Sequence, residues 1–213
     1  MRSLIVVGSS KIALDIAGFI AASFGTAGAD YIHRGYLSLE GEEPATDPAQ
    51  TRPFDPGELR PGEVVVAVGD PRLRTRLFAE HLEALRSAAI NVIHPSVILA
   101  EEVRIGVGNI LGPHCYLGTN VKLGDLNILN YHVGIGHHSQ IGDGNFVAPG
   151  FQCGNSVEIG DGNFFGLSCT VGPGVTIRNN NRFQAGTFVA QPIASDLLCY
   201  SSERLKAVPF QET

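Results

Sequence analysis

Residues 105–129 read Ile105-Gly-Val-Gly-Asn-Ile-Leu111-Gly-Pro-His-Cys-Tyr-Leu117-Gly-Thr-Asn-Val-Lys-Leu123-Gly-Asp-Leu-Asn-Ile-Leu129. A hydrophobic residue falls on every sixth position, and a glycine usually follows it. The same column continues as Ile135, Ile141, Val147, Cys153, Ile159, Phe165, Val171, Ile177, Phe183 and Val189. A period of six matches neither an α-helix nor an ordinary strand. It predicts a hexapeptide parallel β-helix, in which three hexapeptides form one triangular coil.

A second period of eighteen residues, one coil, is nested in the first. Two positions before an inward residue, asparagine recurs at Asn109, Asn127, Asn145, Asn163 and Asn181. We expect these asparagines to stack along one edge of the solenoid, where each amide can bond to its neighbours in adjacent coils. A parallel column is apolar and consists of Val103, Val121, Val157 and Val175, with Ser139 as its one break.

The N-terminal part of the chain lacks the six-residue period and alternates between strand-like and helix-like patterns. The predicted strands are Leu4–Val7, Ala29–His33, Val64–Val68 and Ile90–Ile93, and the predicted helices are Ile12–Phe24 and Arg72–Ser87. Residues 38–61, rich in Glu, Pro, Asp and Gly, are predicted to form a mobile loop. This alternation predicts a small parallel sheet with helices on its faces, an α/β Rossmann-like domain over residues 1–93.

The remaining boundaries follow from where the six-residue period begins and ends. His94-Pro-Ser96 is predicted as the hinge into a β-helix domain over residues 94–191. Residues 192–213 form a tail, which we expect to cap the open end because an uncapped last coil would expose strand edges.

Composition narrows the functional classes. The chain has 213 residues and a net charge of −6, without a Lys/Arg cluster, which argues against nucleic acid or an anionic membrane as a partner. Its apolar segments are too short and too polar to span a bilayer. The cysteines are Cys115, Cys153, Cys169 and Cys199; they form no CxxC pair, and most fall in inward columns. We therefore expect buried free thiols and a reducing, cytoplasmic location.

Ligands of parallel sheets bind at the carboxyl ends of the strands, which here are Gly8-Ser9-Ser10-Lys11 and Gly69-Asp70. The first segment lacks the glycine spacing of dinucleotide-binding turns, which argues against NAD. A turn at a helix start can still accept a phosphate, and Lys11 either adds charge there or is simply solvated. Arginines open the second helix at Arg72, Arg74 and Arg76, and we expect at least two of them to face solvent.

A cluster of polar residues interrupts the middle of the solenoid, from Asn130 to His138. His137 follows the inward Ile135 by two positions, so it should lie at a corner and project outward. Because side chains of one strand alternate faces, His138 should point elsewhere. A neutral histidine that faces a neighbouring subunit can serve as a general base towards an amine or hydroxyl.

The chain resembles, along nearly its whole length, the hexapeptide-repeat sugar acyltransferases that acetylate UDP-4-amino-sugars, perosamine-type sugars or sialic acid. The motifs that carry the likeness occur in the order and spacing of that family: Val66-Ala-Val-Gly-Asp70, Ile93-His-Pro-Ser96, Ile128-Leu-Asn130 and His137-His-Ser-Gln-Ile-Gly-Asp143.

The resemblance implies a left-handed β-helix, a homotrimer and a role in polysaccharide biosynthesis. It implies that a sugar or nucleotide-sugar binds at Gly8, Ser9, Ser10, Lys11, Gly69 and Asp70. Acetyl-CoA would lie between coils of adjacent subunits, with contacts at Gly154, Asn155, Gly166, Leu167, Ser168 and Gly186. His137 would be the general base and Asn130 would orient the acceptor. His138 stands where the family usually carries an acid that fixes the tautomer of the base.

Two alternatives use the same fold. His114, His132 and His137 also resemble the zinc ligands of γ-class carbonic anhydrases, which are trimeric β-helices with ligands from two subunits and a zinc-bound water as nucleophile. On that reading, His114 and His132 stack one coil apart, about 4.8 Å. The other alternative is a sugar-binding trimer that has lost catalysis.

For the acyltransferase, no cysteine is placed for a covalent acyl-enzyme, so direct transfer in a ternary complex is predicted.

Overall fold

The computed structural model describes residues 2–25 and 31–201. Its N-terminal part is a parallel sheet with strand order β3-β2-β1-β4, made of β1 (Arg2–Val7), β2 (Tyr31–Ser38), β3 (Thr51–Pro53) and β4 (Val64–Val66). The helices α1 (Lys11–Gly25) and α2 (Pro71–Ala88) cover its two faces. Because side chains alternate along a strand, Leu4 and Val6 pack with α1, whereas Ile5 and Val7 pack with α2.

The segment predicted to be a mobile loop, residues 38–61, is more ordered than its composition indicates. It contains β3, which pairs in parallel with β2, and two short 3₁₀ turns, Pro48–Gln50 and Pro56–Glu58. An aspartate caps each turn: the carboxylates of Asp47 and Asp55 accept backbone N–H groups two residues further on. The predicted loop therefore contains regular elements, because these local caps and an edge-strand pairing supply bonds that composition alone does not show. The predicted strand Ala29–His33 begins at Tyr31, and residues 29 and 30 lie outside the described residues.

The β-helix has three faces of stacked parallel strands. Face 1 consists of β5 (Val92–Ile93), β8 (Ile110–Leu111), β11 (Ile128–Leu129), β14 (Phe146–Val147), β17 (Phe164–Phe165), β20 (Arg182–Phe183) and β22 (Leu198–Cys199). Face 2 consists of β6 (Ile98–Leu99), β9 (Tyr116–Leu117), β12 (Gly134–Ile135), β15 (Gln152–Cys153), β18 (Thr170–Val171) and β21 (Phe188–Val189). Face 3 consists of β7 (Arg104–Ile105), β10 (Lys122–Leu123), β13 (Gln140–Ile141), β16 (Glu158–Ile159) and β19 (Thr176–Ile177). The predicted fold class is confirmed: an α/β N-terminal domain followed by a hexapeptide left-handed β-helix.

Two ends of the solenoid differ from expectation. The predicted last strand of the N-terminal sheet, Ile90–Ile93, is divided: Ile90 donates to the carbonyl of Val64, whereas Val92–Ile93 pairs with β8 and belongs to face 1. At the other end, β22 pairs with β20, so part of the predicted tail continues the ladder. Residues 202–213 of that tail lie outside the described residues.

Corner 1–2 joins faces 1 and 2, corner 2–3 joins faces 2 and 3, and corner 3–1 joins faces 3 and 1. The asparagine column lies at corner 3–1 and forms the predicted ladder. Asn145, fully buried, donates from Nδ2 to Oδ1 of Asn127 at 3.0 Å and accepts the backbone N–H of Asn163 at 2.8 Å. The ladder therefore satisfies backbone groups at a corner where consecutive strands cannot pair with each other.

The N-terminal domain packs on face 1 and corner 3–1. Outward residues of face 1, among them Ile128 and Phe146, share a buried cluster with Ile16 of α1. Arg74 of α2 is buried and donates to the carbonyls of Val68, Leu126 and Gly144. Burial lowers the pKa of Arg74 to about 9, so the guanidinium remains charged near neutral pH.

As predicted, the other two arginines at the start of α2, Arg72 and Arg76, are exposed. Within the described residues, no helix is long and apolar enough to cross a membrane.

Candidate functional site

The turn after β1 brings backbone amides to the start of α1. Gly8 has φ +115°, and a Cβ at this position would lie 2.6 Å from the carbonyl oxygen of Ala67, so the close approach of β1 to β4 requires glycine. Ser9 is fully buried, Ser10 directly precedes α1, and Lys11 is exposed. This local geometry is that of an anion-accepting turn.

A carboxylate of the chain itself occupies this turn. Oε1 of Glu42 accepts the backbone N–H groups of Ser9 and Ser10 at 2.9 and 3.0 Å. Its Oε2 accepts the hydroxyl of Ser9 at 3.0 Å and the N–H of Leu39 at 3.2 Å. Glu42 was not predicted as a site residue because it lies in the segment predicted to be mobile, where its negative charge was the only signal of a role.

The turn opens into a cleft of about 630 Å³ between the N-terminal domain and face 1. Of the predicted substrate-binding residues, Ser10, Lys11, Gly69 and Asp70 line this cleft, whereas Gly8 and the buried Ser9 do not. Asp70 also caps α2, because its Oδ1 accepts the N–H groups of Arg72 and Leu73 at 2.8 and 2.9 Å.

The solenoid contributes two aromatic rings to this cleft. Phe146 and Phe164 stand one coil apart on face 1, stacked with 5.2 Å between ring centroids and 10° between planes. Both residues directly precede an inward residue, and each forms an apolar pair with it. These apolar pairs in the sequence indicate that the outer side of face 1 is buried, although they do not indicate a cleft.

His137 and His138 lie at corner 2–3, and both are exposed. Their Nδ1 atoms are 3.0 Å apart, and the ring planes stand at 88°. The expectation that the two side chains point in different directions is wrong, because the residues form a turn rather than a strand. His138 has φ 61°, a left-handed conformation that directs its ring back towards His137.

The other predicted site residues lie on both corners that bound face 2. Asn130 is buried at corner 1–2, where its Oδ1 accepts the N–H of Tyr131 at 2.8 Å. Of the predicted acetyl-CoA contacts, Gly166, Leu167, Ser168 and Gly186 belong to corner 1–2, and Gly154 and Asn155 belong to corner 2–3. Asn155 follows His137 by one coil, since the N–H of Ser156 bonds to the carbonyl of His137.

His114 and His132 form the predicted stack at corner 1–2, with ring centroids 5.0 Å apart and planes at 14°. His137 stands at the opposite end of β12, at corner 2–3. Among the described residues of one chain, no three His, Cys, Asp or Glu side chains are placed to hold a metal ion. A zinc site that used all three histidines would therefore draw its ligands from two chains.

The thiols do not form a reactive group. Cys115, Cys153 and Cys169 are buried, whereas Cys199 is partly exposed, and all four are free. Burial raises the pKa of the Cys115 and Cys153 thiols to about 11, so they carry no thiolate near neutral pH. The expectation of small buried residues is confirmed for these positions.

Two parts of the candidate site lie on opposite sides of the prism. The cleft borders face 1, which the N-terminal domain covers, whereas His137 lies at corner 2–3, the corner opposite face 1. A ligand that fills the cleft of one chain is therefore separated from His137 of the same chain by the body of the β-helix.

Comparisons with protein-family profiles and with curated protein sequences give no match. Comparison with solved structures does. The chain is similar to perosamine N-acetyltransferase from Caulobacter crescentus, solved as a histidine-to-asparagine variant in complex with CoA and GDP-perosamine, with 22% identity, a TM-score of 0.76 and 98% of each chain covered.

Two further structures share the fold over nearly the whole chain. The acetyltransferase domain of PglB from Neisseria gonorrhoeae FA1090, in complex with acetyl coenzyme A, is 18% identical with a TM-score of 0.68, over 90% of this chain and 92% of that one. WeeI from Acinetobacter baumannii AYE is 19% identical with a TM-score of 0.73, over 92% and 96%. At these identities the likeness establishes the shared two-part fold.

Proposed function

We propose that this protein is a homotrimeric acyltransferase that transfers an acetyl group from acetyl-CoA to an amine or hydroxyl of a sugar or nucleotide-sugar. Three features support the proposal: a cleft at the carboxyl ends of the N-terminal strands, an exposed histidine pair at the middle of the solenoid, and the full-length likeness to sugar acetyltransferases. The free cysteines fit a cytoplasmic location.

The observation that carries the proposal is the separation of the cleft from His137 within one chain. A reaction that uses both requires the cleft of one subunit to face corner 2–3 of another. A cyclic trimer provides this arrangement three times, because each subunit presents the cleft to one neighbour and the histidine pair to the other. The face best suited to such contacts is face 2, whose outward residues Tyr116 and Phe188 are 47% and 66% exposed.

The chemistry that we propose is direct transfer in a ternary complex. Nε2 of His137 accepts a proton from the acceptor as its nitrogen or oxygen attacks the thioester carbonyl carbon. The new C–N or C–O bond forms and the C–S bond breaks, and the sulfur of coenzyme A leaves and takes the proton from Nε2 of His137. The proposal involves no acyl-cysteine intermediate, because burial raises the pKa of all four thiols, including that of the partly exposed Cys199.

Acetyl-CoA would lie along the corners that bound face 2. Gly154 and Asn155 of one subunit and Gly166 to Ser168 of its neighbour would contact it. Leu167 is 52% exposed at corner 1–2 and would offer an apolar contact to the pantetheine arm. Asn130 would hold the acceptor through the part of its amide that Tyr131 does not engage.

The test is calorimetric titration of coenzyme A into full-length protein of measured zinc content. We expect micromolar-range binding to zinc-free protein, followed by acetyl transfer in a screen of UDP- and GDP-amino-sugars. Zinc at about one ion per subunit without coenzyme A binding would instead favour the carbonic-anhydrase-like use of His114, His132 and His137. Absence of both would indicate a sugar-binding trimer without catalysis.

A further inference from the structure

The proposed base, His137, contacts an unusual kind of partner, a second histidine. Both rings are exposed imidazoles, and their Nδ1 atoms meet at 3.0 Å. At the same corner, the preceding coil places Thr119 and Asn120 at the equivalent positions, and the following coil places Asn155 and Ser156 there. None of these four is charged.

The acids of corner 2–3 are farther away. Glu101 and Glu102 occupy the equivalent turn two coils before the histidine pair. At the coil spacing of a parallel β-ladder this corresponds to about 10 Å along the axis. The partner of His137 within hydrogen-bonding distance is therefore a second imidazole, and the pair has no carboxylate in either adjacent turn.

The short contact limits how protons are distributed. Two Nδ1–H groups that face each other at 3.0 Å would repel, and two bare Nδ1 lone pairs would also repel. The stable arrangement has one proton between the two nitrogens. If His137 holds that proton, its Nε2 is a free lone pair; if His138 holds it, Nε2 of His137 is protonated and cannot act as a base.

We propose that His138 is a positioning residue whose neutral Nδ1 accepts the Nδ1–H of His137 and so keeps Nε2 of His137 free to act as the base. This inference rests on the proposed acyl transfer, and it adds the reason why the proton of neutral His137 is on Nδ1 and not on Nε2. When Nε2 takes the proton of the acceptor, His137 becomes an imidazolium. Its Nδ1–H then bonds to His138, or its proton moves to Nδ1 of His138, so that the two rings share the positive charge.

His138, which has a left-handed backbone conformation, can be replaced by a matched series of side chains. An asparagine tolerates φ 61° and places Oδ1 where histidine has Nδ1, so His138→Asn retains a neutral acceptor. His138→Asp places a negative charge there, and His138→Ala removes the acceptor. Asn120→Ala is the control, because Asn120 has φ 59° at the equivalent position one coil earlier and lies outside the pair.

The first readout does not depend on catalysis. Long-range ¹H–¹⁵N spectra of full-length protein labelled with ¹⁵N-histidine report the tautomer of each ring, and His137→Ala and His138→Ala assign the two. At pH 8 we expect His137 as the Nδ1–H tautomer and His138 as the Nε2–H tautomer. In His138→Ala the signal of His137 should move towards the Nε2–H form, whereas Asn120→Ala should leave it unchanged. A wild-type His137 protonated at Nε2 would overturn the proposal.

The second readout tests the consequence for turnover. We expect kcat to fall by about 10- to 100-fold in His138→Ala with little change in KM, and to recover in His138→Asn. His138→Asp also retains an acceptor for the Nδ1–H of His137, so kcat should recover in that variant as well. Equal loss in the Asn and Ala variants would contradict a positioning role. If the wild type transfers no acetyl group, the proposed function fails, and the spectra alone decide the hydrogen-bond arrangement.

Discussion

At the scale of single residues, Glu42 decides the character of the turn after β1. Its carboxylate accepts N–H groups from Ser9, Ser10 and Leu39 and the hydroxyl of Ser9. A phosphate could use the Ser9 and Ser10 amides only if Glu42 moved away. In the structure the carboxylate closes the turn and ties the segment after β2 to the start of α1.

We expect Glu42→Ala to lower the free energy of unfolding by about 1–3 kcal/mol, since the backbone N–H groups of Ser9 and Ser10 lose their acceptor. Urea denaturation at neutral pH measures the change. The neighbouring Glu43→Ala, at an exposed position, should stay within about 0.5 kcal/mol of the wild type. Equal effects in the two variants would show that the hydrogen bonds of Glu42 contribute nothing specific.

His137 is the residue on which the proposed chemistry depends most. Because a positioned general base contributes about 10²–10⁴ in rate, we expect His137→Ala to lower kcat by that factor. Coenzyme A titration of the same variant should still show binding, since the predicted contacts lie on backbone at Gly154 and Gly166. Unchanged turnover would exclude His137 as the base.

At the scale of elements, the asparagine ladder holds the coils together at corner 3–1. Asn145→Ala would leave the buried N–H of Asn163 without its acceptor, whereas Oδ1 of Asn127 would lose one donor and keep the backbone N–H of residue 145. We expect a loss of about 2–4 kcal/mol in unfolding free energy, from the unsatisfied groups and the cavity. Gln140→Ala, at an exposed position of face 3 in the same coil, is the control and should change little.

The buried thiols give the solenoid a pH dependence of known sign. Burial raises the pKa of Cys115 and Cys153 to about 11, above the ordinary value of 9.0. A raised folded-state pKa means that their contribution is complete below pH 9 and is lost as the pH rises through about 11. We expect a loss on the order of 1 kcal/mol per thiol by pH 10.

A double variant isolates this effect from other titrating groups. Val133 occupies the same column as Cys115, so valine suits the position. In Cys115→Val/Cys153→Val, the decline in unfolding free energy between pH 8 and pH 10 should be smaller than in the wild type by about 2 kcal/mol, the sum for the two thiols. Parallel declines would show that the thiols ionise with similar pKa values in the folded and unfolded chains.

Regular elements could be predicted from the sequence to the extent that each position repeats the same environment. The six-residue column and the asparagine ladder are such repeats, so their burial and bonding followed from spacing alone. Residues 38–61 lack a repeat, and their order depends on Asp47, Asp55 and the pairing of β3, none of which periodicity reports. The prediction that His137 and His138 point in different directions failed for a related reason. Side chains alternate faces along a strand but not at a turn, and His138 lies at a turn with φ 61°.

At the scale of the whole molecule, the location of the N-terminal domain determines which face of the β-helix is covered within a single chain, namely face 1. Face 1 carries apolar residues at both positions of most strands, and this pattern is consistent with its coverage by α1. The contacts of Arg74 with Leu126 and Gly144 then fix the domain against corner 3–1. Such contacts join residues far apart in sequence and had no local signal.

Faces 2 and 3 remain open in the single chain, and their outward residues differ in charge. Face 3 presents Arg104, Lys122 and Glu158, whereas the outward residues of face 2 are uncharged, with Ile98 at 61% exposure. Because cores of protein interfaces are depleted in charge, face 2 is the surface that we expect to contact a neighbouring copy.

The assembly can be tested with one substitution on each open face. Wild-type protein should sediment as a trimer of about 68 kDa, three times 22.6 kDa. Tyr116→Glu on face 2 buries a charge in the expected contact, so it should shift the protein to monomers and abolish acetyl transfer while urea unfolding of the chain persists. Lys122→Glu on face 3 should remain trimeric and active. A trimeric Tyr116→Glu would place the contact elsewhere, and a wild-type monomer would leave the cleft and His137 without the second chain that the proposed reaction requires.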